Sequence, residues 1–257
     1  MEAKLVRKFG NSGHVIVPKE YIGKRIKFIA EPKTFEDIKS EILVILKSCL
    51  ENIIGIYLYG SYARNEQTIE SDIDILVITD TKLKIMEKIY DYSIVSITIN
   101  ELEKTLDTNA VLIFPIIKEA KIIINPELLE KYKQYKFTKK NTEVFIEGTG
   151  KILDLNKKGL ELDFELGSLV YSLMLRIRGL LMINLILSGK FYSKSVLFDF
   201  LEGKGLTKDK ILELYKIYSS EMDGIKIKEN RIVTKEDIKK LLIIAENLLK
   251  EAIGLLK

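Results

Sequence analysis

Apolar and polar positions divide the chain into three regimes. Up to residue 30, short runs rich in β-formers alternate with turn residues. Lys4 to Phe9 reads as a strand, Gly10-Asn11-Ser12-Gly13 as a turn tolerant of positive φ, and His14 to Val17 as a second strand. Pro18 to Ile22 makes one helical turn closed by Gly23, and Arg25 to Ile29 a third strand. From 31 to 130, helical spacing alternates with continuous apolar runs. Thr34 and Asp37 form a capping signal ahead of Ile38, Ile42, Leu43, Ile45, Leu46 and Leu50. Ile53 to Tyr59 is a strand, Tyr62 to Asn65 a short helix, and Ile73 to Val77 a strand. A helix follows over Leu83 to Tyr90, then a strand over 92–99 and a helix from Asn100 into Leu106. Val111 to Glu119 fits either an apolar helix or an extended stretch, and Ala120 to Ile124 is a last strand ended by Asn125-Pro126. From 131 to 257 the period is helical throughout: Thr138 to Lys157, Glu161 to Ser188, Ser193 to Glu202, Lys208 to Glu221, and a helix from Thr234 to the C-terminus. The pattern predicts an α+β protein: a β module at 1–30, an α/β core on a small mixed sheet at 31–130, and a helical bundle at 131–257.

Composition narrows the setting. The 257 residues are 47% hydrophobic, enough for a sizeable core. A single cysteine, Cys49, excludes an intrachain disulfide and falls in an apolar helix pattern as packing. The apolar run Gly179 to Leu187 is broken by Asn184 and is too short to span a bilayer, and the start lacks a signal-peptide layout, so no membrane partner and a cytoplasmic location are expected. The net charge of +4 is uneven: residues 1–29 carry +5, so the other 228 sum to −1. A basic N-terminal segment points toward nucleic acid.

The chemistry sits in Leu58-Tyr59-Gly60-Ser61-Tyr62-Ala63-Arg64 and, after a ten-residue spacer that runs through Ser71, Asp72-Ile73-Asp74-Ile75. Strand side chains alternate, so Asp72 and Asp74 share a face while Ile73 and Ile75 point to the core. Two neighbouring carboxylates repel unless a cation lies between them, and hard oxygen ligands suit Mg²⁺. A Gly-Ser turn ahead of them brings backbone N–H groups and a hydroxyl toward a phosphate. Together these equip a site for metal-assisted phosphoryl or nucleotidyl transfer.

This pattern resembles the DNA polymerase beta superfamily of nucleotidyltransferases, and its Gly-Ser-x-x-Arg and Ser-Asp-Ile-Asp variants resemble the minimal nucleotidyltransferase branch. The resemblance implies that Gly60 and Ser61 hold the phosphates of an NTP substrate. It gives Asp72 and Asp74 the catalytic metal, Mg²⁺ or Mn²⁺. Arg64 either holds phosphate or braces the turn through Glu66 or Asp72. The family takes a third carboxylate from a later strand. Here the aligned position is Ser96, with Asp91 able to substitute only if the register or a bend differs.

The flanks carry resemblances of their own. The run Lys8 to Glu20 looks like the swapped-hairpin modules of the AbrB type, which implies a homodimer that contacts DNA through Lys4, Arg7 and Lys8. The plain alternative is a docked hairpin with solvated lysines. His14, the sole histidine, belongs to no metal-ligand cluster. The helical segment looks HEPN-like, but it has no histidine, which excludes the ribonuclease of that group. Within it, Arg176 among apolar neighbours calls for an anionic partner, a carboxylate or a phosphate, while Tyr215 and Tyr218 read as core packing. Two functions follow: NMP transfer from an NTP to an acceptor (protein, RNA or small molecule), or a catalytically degenerate, antitoxin-like regulator binding DNA through its N-terminus.

Overall fold

The computed structural model describes residues 6–27, 31–69, 71–222 and 233–256. The chain divides into two compact units, residues 1–33 and 34–257.

The first unit holds one antiparallel hairpin, β1 (Arg7–Phe9) and β2 (Ser12–His14), with Gly10 at positive φ in its turn. The Phe9 ring meets His14 edge-on at 5.5 Å. The second strand is therefore earlier than the sequence predicts, and residues 15–17 are unpaired. A 3-10 turn at Lys19–Tyr21 ends at Gly23, also at positive φ. Residues 25–27 form no strand, and 28–29, like Lys4 and the side chain of Lys8, lie outside the described residues. β-forming residues supply only a preference; a strand also needs a partner edge, and Ile16 and Ile26 stand exposed here.

The second unit opens with α1 (Phe35–Ile45), capped reciprocally by Thr34 and Asp37. α1 stops short of the predicted Leu50, and a 3-10 segment at Lys47–Asn52 leads into β3 (Ile53–Tyr59). Then come α2 (Gly60–Arg64), β4 (Ile73–Thr79), β5 (Lys88–Ile89), β6 (Tyr92–Thr98), α3 (Ile99–Thr108), α4 (Phe114–Glu119), β7 (Lys121–Ile124) and α5 (Pro126–Lys133). The sheet runs β5-β6-β4-β3-β7, with β4 and β6 parallel and the other neighbours antiparallel. No helix forms over 83–90; that stretch is irregular up to β5, and the chain turns into β6 at Tyr90, which takes positive φ. Its apolar residues Leu83, Ile85 and Ile89 sit at even spacings, which suits an edge strand.

One sheet face packs Ile56, Leu58, Ile73, Ile75 and Tyr92 on Ile38, Ile42 and Leu46. The other buries Tyr57, Leu76 and Ile78 with Leu102, Phe114 and Ile117, and this core runs on without a break into Leu173, Ile177 and Leu241 of the helical segment. β4 is covered on both faces, which explains its continuous apolar run. The helices are α6 (Lys139–Glu161), α7 (Leu166–Leu187), α8 (Lys194–Gly203), α9 (Lys208–Met222) and α10 (Lys235–Leu255). The predicted boundary near 130 is thus a change of element type within one core. By length and composition α7 could cross a bilayer; it packs between α6, α9 and α10 with half of its apolar window buried.

Candidate functional site

The end of β3, the start of β4 and the start of β6 meet at one end of the sheet. Strand register places Tyr59 opposite Asp74 and Ser93 beside Asp74 on the other side. Paired residues share a face, so Tyr59, Asp74 and Ser93 look toward the helices. The Ile73 N–H donates to the Asp91 carbonyl at 2.8 Å, which holds the Asp91 backbone one rung further out, at the level of Asp72. Ser96 pairs with Val77 instead. The expectation that Ser96 lies beside the Asp72/Asp74 pair is therefore corrected: three residues along the strand it faces the opposite way, and Ser93 is the β6 residue beside Asp74.

Gly60 starts α2 at φ +73°, and any Cβ there would collide with the Asp74 carboxylate. Its N–H donates to Glu119 Oε1 at 2.9 Å, and Arg64 Nη1 donates to Glu119 Oε2 at 2.7 Å. Arg64 Nε also meets Glu66 at 2.9 Å, the brace the sequence offered. Glu119 was not foreseen. Its one signal is a charge closing the apolar stretch Val111 to Ile117, just before a strand. The next N–H groups of α2 lack intrahelical partners, as at any helix start, and the Ser61 hydroxyl stands beside them.

Asp74 is half-buried, and burial together with the negative charges of Asp72 and Glu119 pushes its carboxyl up to about 6, against the opposing pull of Arg64 and Arg178. Asp72 is exposed and meets Lys88 Nζ at 3.2 Å, a solvated pair of little weight. Burial, with Asp74 and Glu119 adding to it, raises the Tyr59 phenol.

The helical segment supplies the facing wall. Arg178 donates from Nη1 to the Tyr218 hydroxyl at 3.0 Å, and its Cζ lies 5.3 Å from the Tyr192 ring centroid. Its Nε is buried and finds no hydrogen-bond partner among the described residues. Burial alone would lower this guanidinium, but the phenols of Tyr192, Tyr218 and Tyr215 outweigh it and hold it above its ordinary value. Tyr171 stacks on Tyr218 at 5.7 Å, and Lys194 Nζ lies 4.3 Å over Tyr215. Tyr218 is fully buried, so its packing role is real, and it also anchors Arg178. Arg176, the arginine singled out by its apolar neighbours, finds no acid among the described residues; it lies 5.5 Å over Phe145 and is lowered by burial. Residues two apart on a helix face different ways, so the sequence could not decide which arginine reaches the site.

Among the described residues no three His, Cys, Asp or Glu side chains gather into a metal cage. Mg²⁺ needs no such cage: one or two carboxylates plus substrate phosphates suffice. The donor chemistry fits, since Asp72 and Asp74 present hard oxygens, and a divalent cation would offset both the burial that lifts Asp74 and the Asp72 repulsion that adds to it.

Residues 40–129 match a family described as Polymerase beta, Nucleotidyltransferase, and residues 3–29 match one described as Putative transposon-encoded protein. No curated protein matches the chain in sequence. Among solved structures, a spectinomycin adenyltransferase from Enterococcus faecialis, solved with ATP and spectinomycin, has 18% identity and a TM-score of 0.46, covering 85% of this chain and 100% of its own. A nucleotidyltransferase-like protein from Exiguobacterium sibiricum has 14% identity and a TM-score of 0.38, covering 85% and 77%. The segment that carries Gly60, Ser61, Asp72 and Asp74 therefore matches a polymerase beta nucleotidyltransferase domain.

Proposed function

We propose that the chain moves a nucleoside monophosphate from an NTP to an acceptor. The observation that carries this reading is the convergence of the Gly60-Ser61 turn and the Asp72/Asp74 strand end at one site within the segment matching the nucleotidyltransferase family. Gly60 keeps the backbone close, and Ser61 with the following N–H groups receives the phosphates. Asp72 and Asp74 would hold Mg²⁺ or Mn²⁺, which when bound supplies charge neutralisation at the phosphoryl oxygens. Arg64 is committed to Glu119 and Glu66, so it braces the turn. The acceptor approaches past the helical wall, where Arg178 and its tyrosines exclude water and present a fixed positive charge.

Ser93 beside Asp74 favours a second reading, since a hydroxyl there is no general base. In that reading the site is degenerate and the protein is a DNA-binding regulator acting as a dimer through its basic N-terminus, where Arg7 is exposed. The two separate on incubation with each α-labelled NTP and Mg²⁺ in cell extract. Transfer of label by the wild type, lost in Asp72→Asn/Asp74→Asn, supports the first reading. Absence of transfer with specific, salt-sensitive DNA binding supports the second.

A further inference from the structure

Both oxygens of Glu119 are spent inside the site, one on the Gly60 N–H and one on Arg64. The Arg64–Glu119 pair is largely withdrawn from solvent, at 19% and 15% side-chain exposure, so its attraction is stronger than that of a surface pair. Arg64's second acid, Glu66, is twice as exposed at 34%. Asp74 lies against the far side of the same turn, in contact range of any Cβ at Gly60, and makes no hydrogen bond or ion pair to the described residues. Arg64 is near enough for its charge to act on Asp74. The guanidinium thus acts on two anions inside the site and is bonded to only one of them. Without Glu119, the remaining interior anion is Asp74, and a lysine-like or arginine ion pair there would compete directly with a cation.

We propose that Glu119 is a positioning residue for metal binding: by holding Arg64 and the Gly60 N–H, it keeps Arg64 off Asp74 and leaves that carboxylate open to a divalent cation. This rests on the reading that Asp72 and Asp74 take the metal. Loss of a group that orients a metal site typically costs ten- to a hundredfold in affinity, roughly the scale expected here.

The test is titration of the full chain with Mn²⁺ alone, followed by calorimetry or by the loss of the free-ion paramagnetic signal, with circular dichroism as the check on folding. Glu119→Gln is expected to weaken Mn²⁺ binding about tenfold or more. Glu119→Gln/Arg64→Met is expected to restore it to within about threefold of wild type, because the competing cation is gone. Arg64→Met alone is expected to bind Mn²⁺ at least as well as wild type, and it gives the answer even if Glu119→Gln does not fold. Unchanged affinity in Glu119→Gln overturns the proposal. So does a double variant as weak as the single one, since the loss would then come from a disturbed turn, and so does a loss of binding in Arg64→Met. Equal Mn²⁺ binding by wild type and Asp72→Asn/Asp74→Asn sinks the metal reading itself, and this inference with it.

Discussion

Gly60 has to be glycine for two separate reasons, its left-handed backbone and the Asp74 carboxylate where a Cβ would go. Gly60→Ala should cost roughly 2–5 kcal/mol, combining the left-handed penalty with overpacking, and denaturant unfolding of the full chain measures it. Asp74 makes a prediction with a definite sign. A carboxyl whose folded value of about 6 exceeds its ordinary 3.8 leaves the folded state holding more protons than the unfolded chain between those values. Stability then falls as pH rises through that window and is flat above it. Asp74→Asn removes the slope, so in metal-free buffer its advantage over wild type should be larger at pH 8 than at pH 3 by up to about 3 kcal/mol. Thermal melts across pH with a chelator present check this; an advantage no larger at pH 8 than at pH 3 contradicts the burial and repulsion assigned to Asp74. At this scale the sequence pointed to the turn at Gly60 and Ser61 and to the strand end at Asp72 and Asp74, which the fold brings together. It was silent on Glu119, because nothing in a run such as Ile116-Ile117-Lys118-Glu119 says that its acid folds back 59 positions to Gly60.

Elements with strong local signals were legible. Thr34 with Asp37 and Thr234 with Asp237 form the reciprocal caps that their spacing announced. Thr98 with Glu101 forms a third, which starts α3 and ends β6 in one stroke. The segment from 83 to 90 is ambiguous in sequence, since Leu83, Met86 and Tyr90 keep helical spacing while Leu83, Ile85 and Ile89 keep even spacing, and the β6 edge decides it. The same strand hid the position beside Asp74, since β-formers at both odd and even positions over 92–99 do not fix register. Ser93→Asp therefore makes a sharp trial of the register. It should strengthen Mn²⁺ binding several-fold and destabilise the metal-free protein by about 1 kcal/mol through like-charge crowding beside Asp74. The corresponding Ser96→Asp, on the opposite face, should change neither the Mn²⁺ titration nor the crowding at Asp74.

Residues 34–257 join sheet and helices through one continuous core, a buried cluster that holds Tyr57, Leu76 and Phe114 together with the helical residues Leu173 and Ile177. Residues 34–130 expressed alone should therefore expose that sheet face and fail to unfold cooperatively, whereas residues 34–257 should keep a single sharp transition. Helix positions and the change of character near 130 could be read from periodicity; the docking of the bundle on the sheet could not, because it depends on which face each helix presents. For that reason Arg178, and not Arg176, is the helical-segment arginine whose charge joins that of Arg64 on Asp74. Under the proposed function one site, with a phosphate turn and two carboxylates, serves one nucleotide. Calorimetric titration with ATP, with and without Mg²⁺, on wild type, Ser61→Ala and Asp72→Asn/Asp74→Asn tests it most directly. The account predicts Mg²⁺-dependent binding in the wild type, weakened in Ser61→Ala and abolished by the double substitution. Binding that ignores Mg²⁺, or that survives loss of both carboxylates in a folded protein, would contradict it.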